Sequence, residues 1–420
     1  MFWLIEDSQQ LQEFSLRGFE EVFLEVIPYN FNTHPILDGI SLIYIRPLRE
    51  LKGYMLCLDH GETMSLDIDE VKRVLNKINK VYVRNKKSTL QYLPLKTLLD
   101  IQPTHHTYIP ELTHTHKWFY AKNLNNPNRI VPIVKHYEYC ESIFKDLDIF
   151  NIKCQDDYCQ WFNKRSSIVF SAIEANGLRI NKELYEKFFH PVEGEYVYTQ
   201  YNLKTLTTRP SNNFGGVNFA ALNKENGCRQ AFIARNDQLI EFDISAYHPN
   251  LAAKLVGYDF GTKDIHNHFA KMYGVDYKQA KELTFKQLYG GVFEQYKNLE
   301  FFKRIQVYID DLWDKFQHQG WIEMPQSKYI LRKEDTEDMK PQKLFNYVLQ
   351  NLETSTNVLI LWEILKSLRG KKTKLVLYTY DAFLFDYAQE DKEVLKEIKK
   401  IIEGFELSIK ISYGNTYDFT

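Results

Sequence analysis

Two acids in this chain stand in the same setting. Asp243 sits in the apolar run Leu239-Ile-Glu-Phe-Asp243-Ile, and Asp381 sits in a short break between Lys374-Leu-Val-Leu-Tyr-Thr and Ala-Phe-Leu-Phe-Asp-Tyr387; each has an aromatic neighbour. A lone aspartate at a strand end is as a rule a cap for the helix that follows. A second acid of the same kind reverses that order, because two carboxylates that one sheet brings side by side repel unless cations lie between them. That is the setting of two Mg²⁺ ions about 3.5–4 Å apart, used for in-line displacement at phosphorus. Magnesium takes few protein carboxylates and fills its octahedron with water and phosphate oxygens. Between the acids, Lys278, Lys281, Phe285 and Tyr289 step by three or four and share one helical face. Such a face also suits a core helix with snorkelling lysines. With the two acids nearby, it offers a cation to a triphosphate and two rings to a base, and the chemistry that results is phosphoryl transfer on a nucleotide.

The elements that must position these residues are legible around them. The run to Asp243 reads as a strand, and Pro249 opens a helix, since proline suits a first helical turn. A helix covers Tyr277 to Gly290, and a long one covers Leu344 to Lys366 with Asn346 and Gln350 a turn apart. The runs around Tyr380-Asp381 read as a hairpin with the acid at its tip, followed by a helix from Asp391 to Ile402 and a strand from Leu407 to Ser412. Lys328 to Lys340 reads as a charged loop. Tyr308-Ile-Asp310-Asp311 has the look of a catalytic box, but Ile305, Ile309, Leu312, Trp313 and Phe316 keep helical spacing through it, so the acids belong to a solvated helix face.

Ahead of this region, Glu21 to Ile27, Ile40 to Ile45, Gly53 to Leu58 and Lys80 to Val83 read as strands, with helices over Glu70 to Ile78 and Lys96 to Ile101. Residues 105 to 130 are loop-like; His105, His106, His114 and His116 lack the acids and cysteines of a defined metal site and read as polar surface. Val134 to Phe150 is helical. A stripe at residues 162, 169, 170 and 173 marks another helix, stopped by Gly177. The main domain boundary falls near residue 155.

Composition sets the outer limits. A chain of 420 residues predicts about two or three domains, and 44% hydrophobic with 26% charged residues is ordinary for a globular protein. A net charge of −2 means that any nucleic-acid affinity rests on local basic clusters. Five cysteines form no Cys-x-x-Cys pair, and their odd count predicts a reducing compartment without disulfides. No basic leader opens the sequence and no apolar run approaches the ~20 residues of a membrane span, so no membrane association and a cytoplasmic location are expected.

In order along the chain, these residues resemble the motifs of the family A, or DNA polymerase I-like, DNA polymerases. Asp243-Ile-Ser-Ala-Tyr-His is similar to motif A, usually Asp-Tyr-Ser-Gln-Ile-Glu; Lys281-x3-Phe285-x3-Tyr289-Gly290 has motif B spacing; Thr379-Tyr-Asp381-Ala resembles motif C, usually Val-His-Asp-Glu. Thr208-Arg209-Pro-Ser211, Arg229-Gln-Ala-Phe-Ile-Ala, Lys263-Asp-Ile-His266 and the Asn346/Gln350 pair are secondary matches in the correct order. The resemblance implies an α/β and α+β chain. An exonuclease-like (ribonuclease H-like) α/β domain over 1–155 would precede a right-hand polymerase domain over 156–420, with a shortened thumb at 156–204, palm at 205–255 and 341–420, and fingers at 256–340. It implies two Mg²⁺ ions, with Mn²⁺ as a substitute, on Asp243, Asp381 and the carbonyl of Ile244. It also implies that Lys281, His266 and Lys278 meet the triphosphate of a dNTP, that Phe285 and Tyr289 stack near the base, and that Arg209, Arg229, Asn346 and Gln350 touch primer-template DNA.

The departures from the family pattern carry information. His248 stands where the family has the Glu that crowds ribose, Ala246 where it has Gln, and Ala382 where it has a second motif C acid. His248 is bulky and within reach of Tyr289, so sugar selection is expected to survive; a single-subunit RNA polymerase, the competing reading, places a small residue there. A catalytically weak primer-template-binding protein is the third reading, and the joint presence of Asp243, Lys281, Tyr289 and Asp381 argues against it. Between Gly177 and Thr205 little chain remains for a thumb, which predicts weak, salt-sensitive DNA binding and a need for a processivity or replisome partner. In the first domain Glu25 stands alone where an active exonuclease needs Asp-x-Glu, and no acid accompanies Asn85, so the domain reads as degenerate. Brevity and the reduced thumb point to a phage or viral replication enzyme.

Overall fold

The computed structural model describes residues 2–103, 126–147, 156–212 and 216–419. The histidine-rich stretch containing His105, His106, His114 and His116 lies outside them. The chain divides into two compact units, Met1–Ser171 and Ala172–Thr420. The division comes later than residue 155 because Asn163 ties its turn into the first unit. Its side chain accepts from the Asp100 amide (2.7 Å) and donates to the Asp100 carbonyl (3.3 Å), while Lys86 Nζ donates to its backbone carbonyl (2.7 Å).

The first unit is built on six strands: β1 (Trp3–Ile5), β2 (Glu21–Pro28), β3 (Ile40–Pro47), β4 (Tyr54–Cys57), β5 (Lys80–Val83) and β6 (Leu98–Asp100). They lie in the order β1-β4-β3-β2-β5-β6; the β4-β3-β2 pairings are antiparallel, and the β1-β4, β2-β5 and β5-β6 pairings parallel. Helices α1 (Ser8–Leu16), α2 (Ile68–Leu75), α3 (Lys86–Tyr92) and α4 (Ile133–Asp146) belong to the same unit. Alternation along β2 explains the layering. Val22, Leu24 and Val26 join the core that contains Leu11, Phe14, Val71 and Leu75 of α1 and α2, whereas Phe23 and Ile27 face the core of α4 with Ile133, Cys140 and Ile143.

The helix expected over Lys96 to Ile101 is an error of period. Leu98-Leu-Asp100 is the edge strand β6, registered on Val81-Tyr-Val83, and the helix of this region is α3, capped by Asn85. A short leucine pair fits either period, and pairing with β5 decides it. The expectation of no disulfide also fails: Cys159 is disulfide-bonded.

In the second unit a four-stranded antiparallel sheet carries the candidate site. Its strands are β7 (Gln238–Ser245), β8 (Lys374–Thr379), β9 (Ala382–Tyr387) and β10 (Ser408–Gly414), in the order β8-β9-β7-β10. Around it run α5 (Tyr247–Leu255), α6 (Ile265–Tyr273), α7 (Tyr277–Gly290), α8 (Glu300–Gln319), the 27-residue α9 (Pro341–Ser367) and α10 (Lys392–Gly404). Asp310 and Asp311 are exposed on α8, as their spacing implies. The loop expected over Lys328 to Lys340 instead contributes Ile330–Arg332, paired with Trp321–Glu323, because Tyr329 and Leu331 are buried there. Between Gly177 and Thr205, all of it described, the longest helix is Lys182–Tyr185. No helix among the described residues is long and apolar enough to cross a membrane.

Candidate active site

Strand β7 alternates: Ile240, Phe242 and Ile244 are buried in the core, which turns Glu241 and Asp243 to the opposite face. Asp243 lies directly across from Ala382 of β9, and the Ile244 amide donates to the Asp381 carbonyl at 2.8 Å. The hairpin register therefore sets Asp381 beside Asp243. In an antiparallel strand the N–H and C=O of one residue point the same way, so the Ile244 carbonyl is aimed to the Asp381 side as well. The Asp381 amide turns to its own carboxylate.

The carboxylates are held high in pKa. Asp381 is pushed up to about 6, first by surrounding protein that displaces water and then by the charges of Asp243 and Glu353. The residue nevertheless remains solvent-exposed. Asp243 is also raised by burial, against the opposing pull of Lys281, Lys224 and Lys410. Lys410 faces Asp243 directly across β7 and β10. Among the described residues no three His, Cys, Asp or Glu side chains cluster as a metal site. The candidate donor set is the two aspartates with the Ile244 carbonyl.

Helices α6 and α7 bring the next group. His266 is buried, with its ring 5.4 Å from Tyr277 and 6.2 Å from Phe285, and Lys281 helps hold its pKa down after burial itself. Phe285 stacks on Tyr289 at 5.8 Å, and the Tyr289 hydroxyl lies 2.6 Å from His248 Nδ1. The contact expected between His248 and Tyr289 is thus formed. Tyr277, not Lys278, stands next to His266; among the described residues no hydrogen bond or ion pair ties Lys278 to this group.

The polar spine of the site is α9, and sequence reading found only half of it. Asn346 and Gln350 are there, joined by a 3.4 Å bond from Gln350 Nε2 to Asn346 Oδ1. Beyond them, Glu353, 2% exposed, sits 2.9 Å from Arg209 Nε and 3.4 Å from His248 Nε2. Asn357, with no exposure, donates to the Tyr380 carbonyl (2.7 Å) and the Tyr378 hydroxyl (3.1 Å) and accepts from the Tyr247 hydroxyl (2.8 Å). Asn351 donates to Thr208 Oγ1 at 2.8 Å. Arg209 in turn lies 3.7 Å over the Tyr380 ring. The signal that could have found these residues is the polar run Asn351-Leu-Glu-Thr-Ser-Thr-Asn357 inside an otherwise apolar helix. Arg229 is occupied elsewhere on the same unit, 4.8 Å over Tyr417 and 3.5 Å from the Leu222 carbonyl.

In the first unit Glu25 stands in an ion pair. Glu25 lies on the α4 face of β2 and is bound by Arg84 through both guanidinium arms, one at 3.1 Å, with Arg84 also donating to Tyr139 at 3.3 Å. Asp100 is taken up by the amides of Lys86 and Gln102, each at 2.8 Å. The Arg84 guanidinium thus balances the charge of Glu25.

No protein-family model matches the chain, and no curated protein does. Among solved structures it is similar to the POL domain of Pol1 from M. smegmatis, determined in complex with DNA primer-template and dNTP; the match has a TM-score of 0.73 at 12% identity and covers 99% of each chain. The chain therefore has the fold of a polymerase domain.

Proposed function

We propose that this chain is a template-directed DNA polymerase that extends a primer 3′ end with dNTPs. The observation that carries the reading is the register that sets Asp243 and Asp381 side by side, with Lys281 among the charges acting on Asp243. Two crowded carboxylates with a backbone carbonyl aimed to the same side suit Mg²⁺, or Mn²⁺ in its place. Bound there, two such ions would supply the Lewis-acid charge for in-line attack of the primer 3′-hydroxyl on the α-phosphate, with release of pyrophosphate. The residues of the chain do the positioning. Lys281 and His266 receive the triphosphate, with Lys278 reaching it from the exposed side of α7. Phe285 and Tyr289 stack at the base, and His248 stands at the sugar. Arg209, Asn346 and Gln350 contact the primer-template, with Arg229 further along it.

The first unit is read as a degenerate exonuclease-like domain retained as a scaffold, a reading supported by the Glu25–Arg84 pair. The lack of a long helix between Gly177 and Thr205 supports a reduced thumb, hence a processivity partner, and with it a phage or viral enzyme acting in the cytoplasm of a bacterial host.

A primer-extension assay with dNTPs, NTPs and Mg²⁺ tests the proposal against Asp243→Asn. The wild type incorporates dNTPs in template order, and the variant binds primer-template without extending it. A wild-type protein that adds no nucleotide under these conditions refutes the reading.

A further inference from the structure

We propose that Glu353 is a positioning residue that orients His248 and, through it, sets the sugar selectivity of the nucleotide site. The inference rests on the polymerase reading. His248 lies buried in the first turn of α5 with one ring nitrogen on the Tyr289 hydroxyl at 2.6 Å. Among the described residues the polar atom facing the other, Nε2, is Glu353 Oε2 at 3.4 Å, within ion-pair distance but without a formed hydrogen bond. A carboxylate only accepts, so the geometry assigns a proton to Nε2 and sets Nδ1 to accept from Tyr289. Burial holds the Tyr289 pKa up and keeps that hydroxyl a donor. Arg209 holds the same carboxylate, with Nε 2.9 Å from Oε2, the oxygen that His248 faces, and Nη2 3.4 Å from Oε1.

A nucleotide whose phosphates meet Lys281 and the aspartates, and whose base meets Phe285 and Tyr289, carries its sugar past the side chain between them. That side chain is His248. Its ring walls the sugar only while both nitrogens are held. The family pattern puts an acid at position 248; here the acid reaches the same Tyr289 from α9, with the imidazole in between.

Glu353→Gln leaves one acceptor oxygen for two donors, His248 and Arg209, so one of them is released. The ratio of kcat/KM for dNTP over NTP is expected to fall about fivefold, the order of one polar contact's net worth. His248→Ala lowers the same ratio, and adding Glu353→Gln to it lowers it no further. A Glu353→Gln effect that persists undiminished in the His248→Ala background, or that appears in primer-template affinity and leaves the ratio untouched, overturns the proposal. Nitrogen NMR of the wild-type histidines reads the geometry without any variant or any turnover: a proton on Nε2 of His248 is expected, and a neutral ring protonated at Nδ1 refutes the proposal. A wild type with that Nε2 proton that incorporates no dNTP refutes the polymerase reading, and the selectivity role with it, while the Glu353–His248 contact stands.

Discussion

Asn357 holds the turn that presents Asp381, and its removal separates that task from metal chemistry. Tyr380 adopts a left-handed φ of 61°, which a side chain other than glycine adopts only under constraint. The constraint is the bond from Asn357 to its carbonyl, with the Tyr247 and Tyr378 hydroxyls filling the remaining valences of the amide. Asn357→Ala deletes all three bonds at a site with no solvent exposure. It leaves the buried Tyr247 hydroxyl only its 3.5 Å contact to the Glu353 carbonyl and strands the half-buried Tyr380 carbonyl, at about 1–3 kcal/mol for an unsatisfied group. Because that carbonyl can recover water, the expected loss is about 2 kcal/mol in all. Asn346→Ala, on the same helix but half-exposed and with one 3.4 Å contact, is the control and is expected to change stability by less than about 0.5 kcal/mol. Denaturant unfolding gives the stability change, and amide exchange across Lys374 to Tyr387 shows where it falls. Misplacing Asp381 by about 1 Å lowers kcat on the order of 100-fold at saturating dNTP. An unchanged unfolding transition together with wild-type protection of the hairpin would falsify the clamp.

Three further outcomes are expected. In metal-free protein at neutral pH, Asp381→Asn raises stability on the order of 1 kcal/mol after allowance for solvent screening, although it abolishes extension. The native pKa of about 6 lies above the ordinary 3.8, so ionised Asp381 disfavours the fold; the gain should shrink as pH falls through about 6, and a pH-independent difference rejects this cause. The wild type leaves a mismatched primer 3′ end intact, and Glu25→Ala costs the first unit about 3 kcal/mol by stranding Arg84; primer degradation that disappears in this variant means that Glu25 holds a metal after all. Under a DNA trap, products extend by few nucleotides per binding event and shorten steeply with salt; long products from single encounters contradict the reduced thumb.

The sheet of the second unit was legible because its strands are period-two apolar runs, and an acid at the end of such a run is visible without a structure. The α7 face was legible because Lys281, Phe285 and Tyr289 repeat at one turn. The failures have physical causes. Leu98-Leu-Asp100 is too short for its period to be read, and pairing with β5 supplied what local sequence lacked. Glu353 and Asn357 escaped because a buried polar residue declares its purpose only through its partners. Those partners are remote: Thr208 is 143 residues from Asn351, and Tyr247 is 110 from Asn357.

The backbone shows why α9 carries that polar run. Three residues other than glycine take left-handed φ beside the site: Thr208 at 60°, Ala246 at 49° and Tyr380 at 61°. Thr208 precedes Arg209, Ala246 starts the turn to His248, and Tyr380 precedes Asp381. None belongs to a residue type that favours this region, so sequence alone marks none of them as a turn of this kind. Each costs of order 1–3 kcal/mol and persists only when its surroundings over-determine it. Asn351 grips Thr208, Asn357 grips the carbonyl of Tyr380, and Glu353 fixes the side chains of Arg209 and His248 that follow the other bends. The polar run is therefore the counterpart of the strain: α9 lends its rigidity to three loops that could not otherwise hold their side chains toward Asp243 and Asp381.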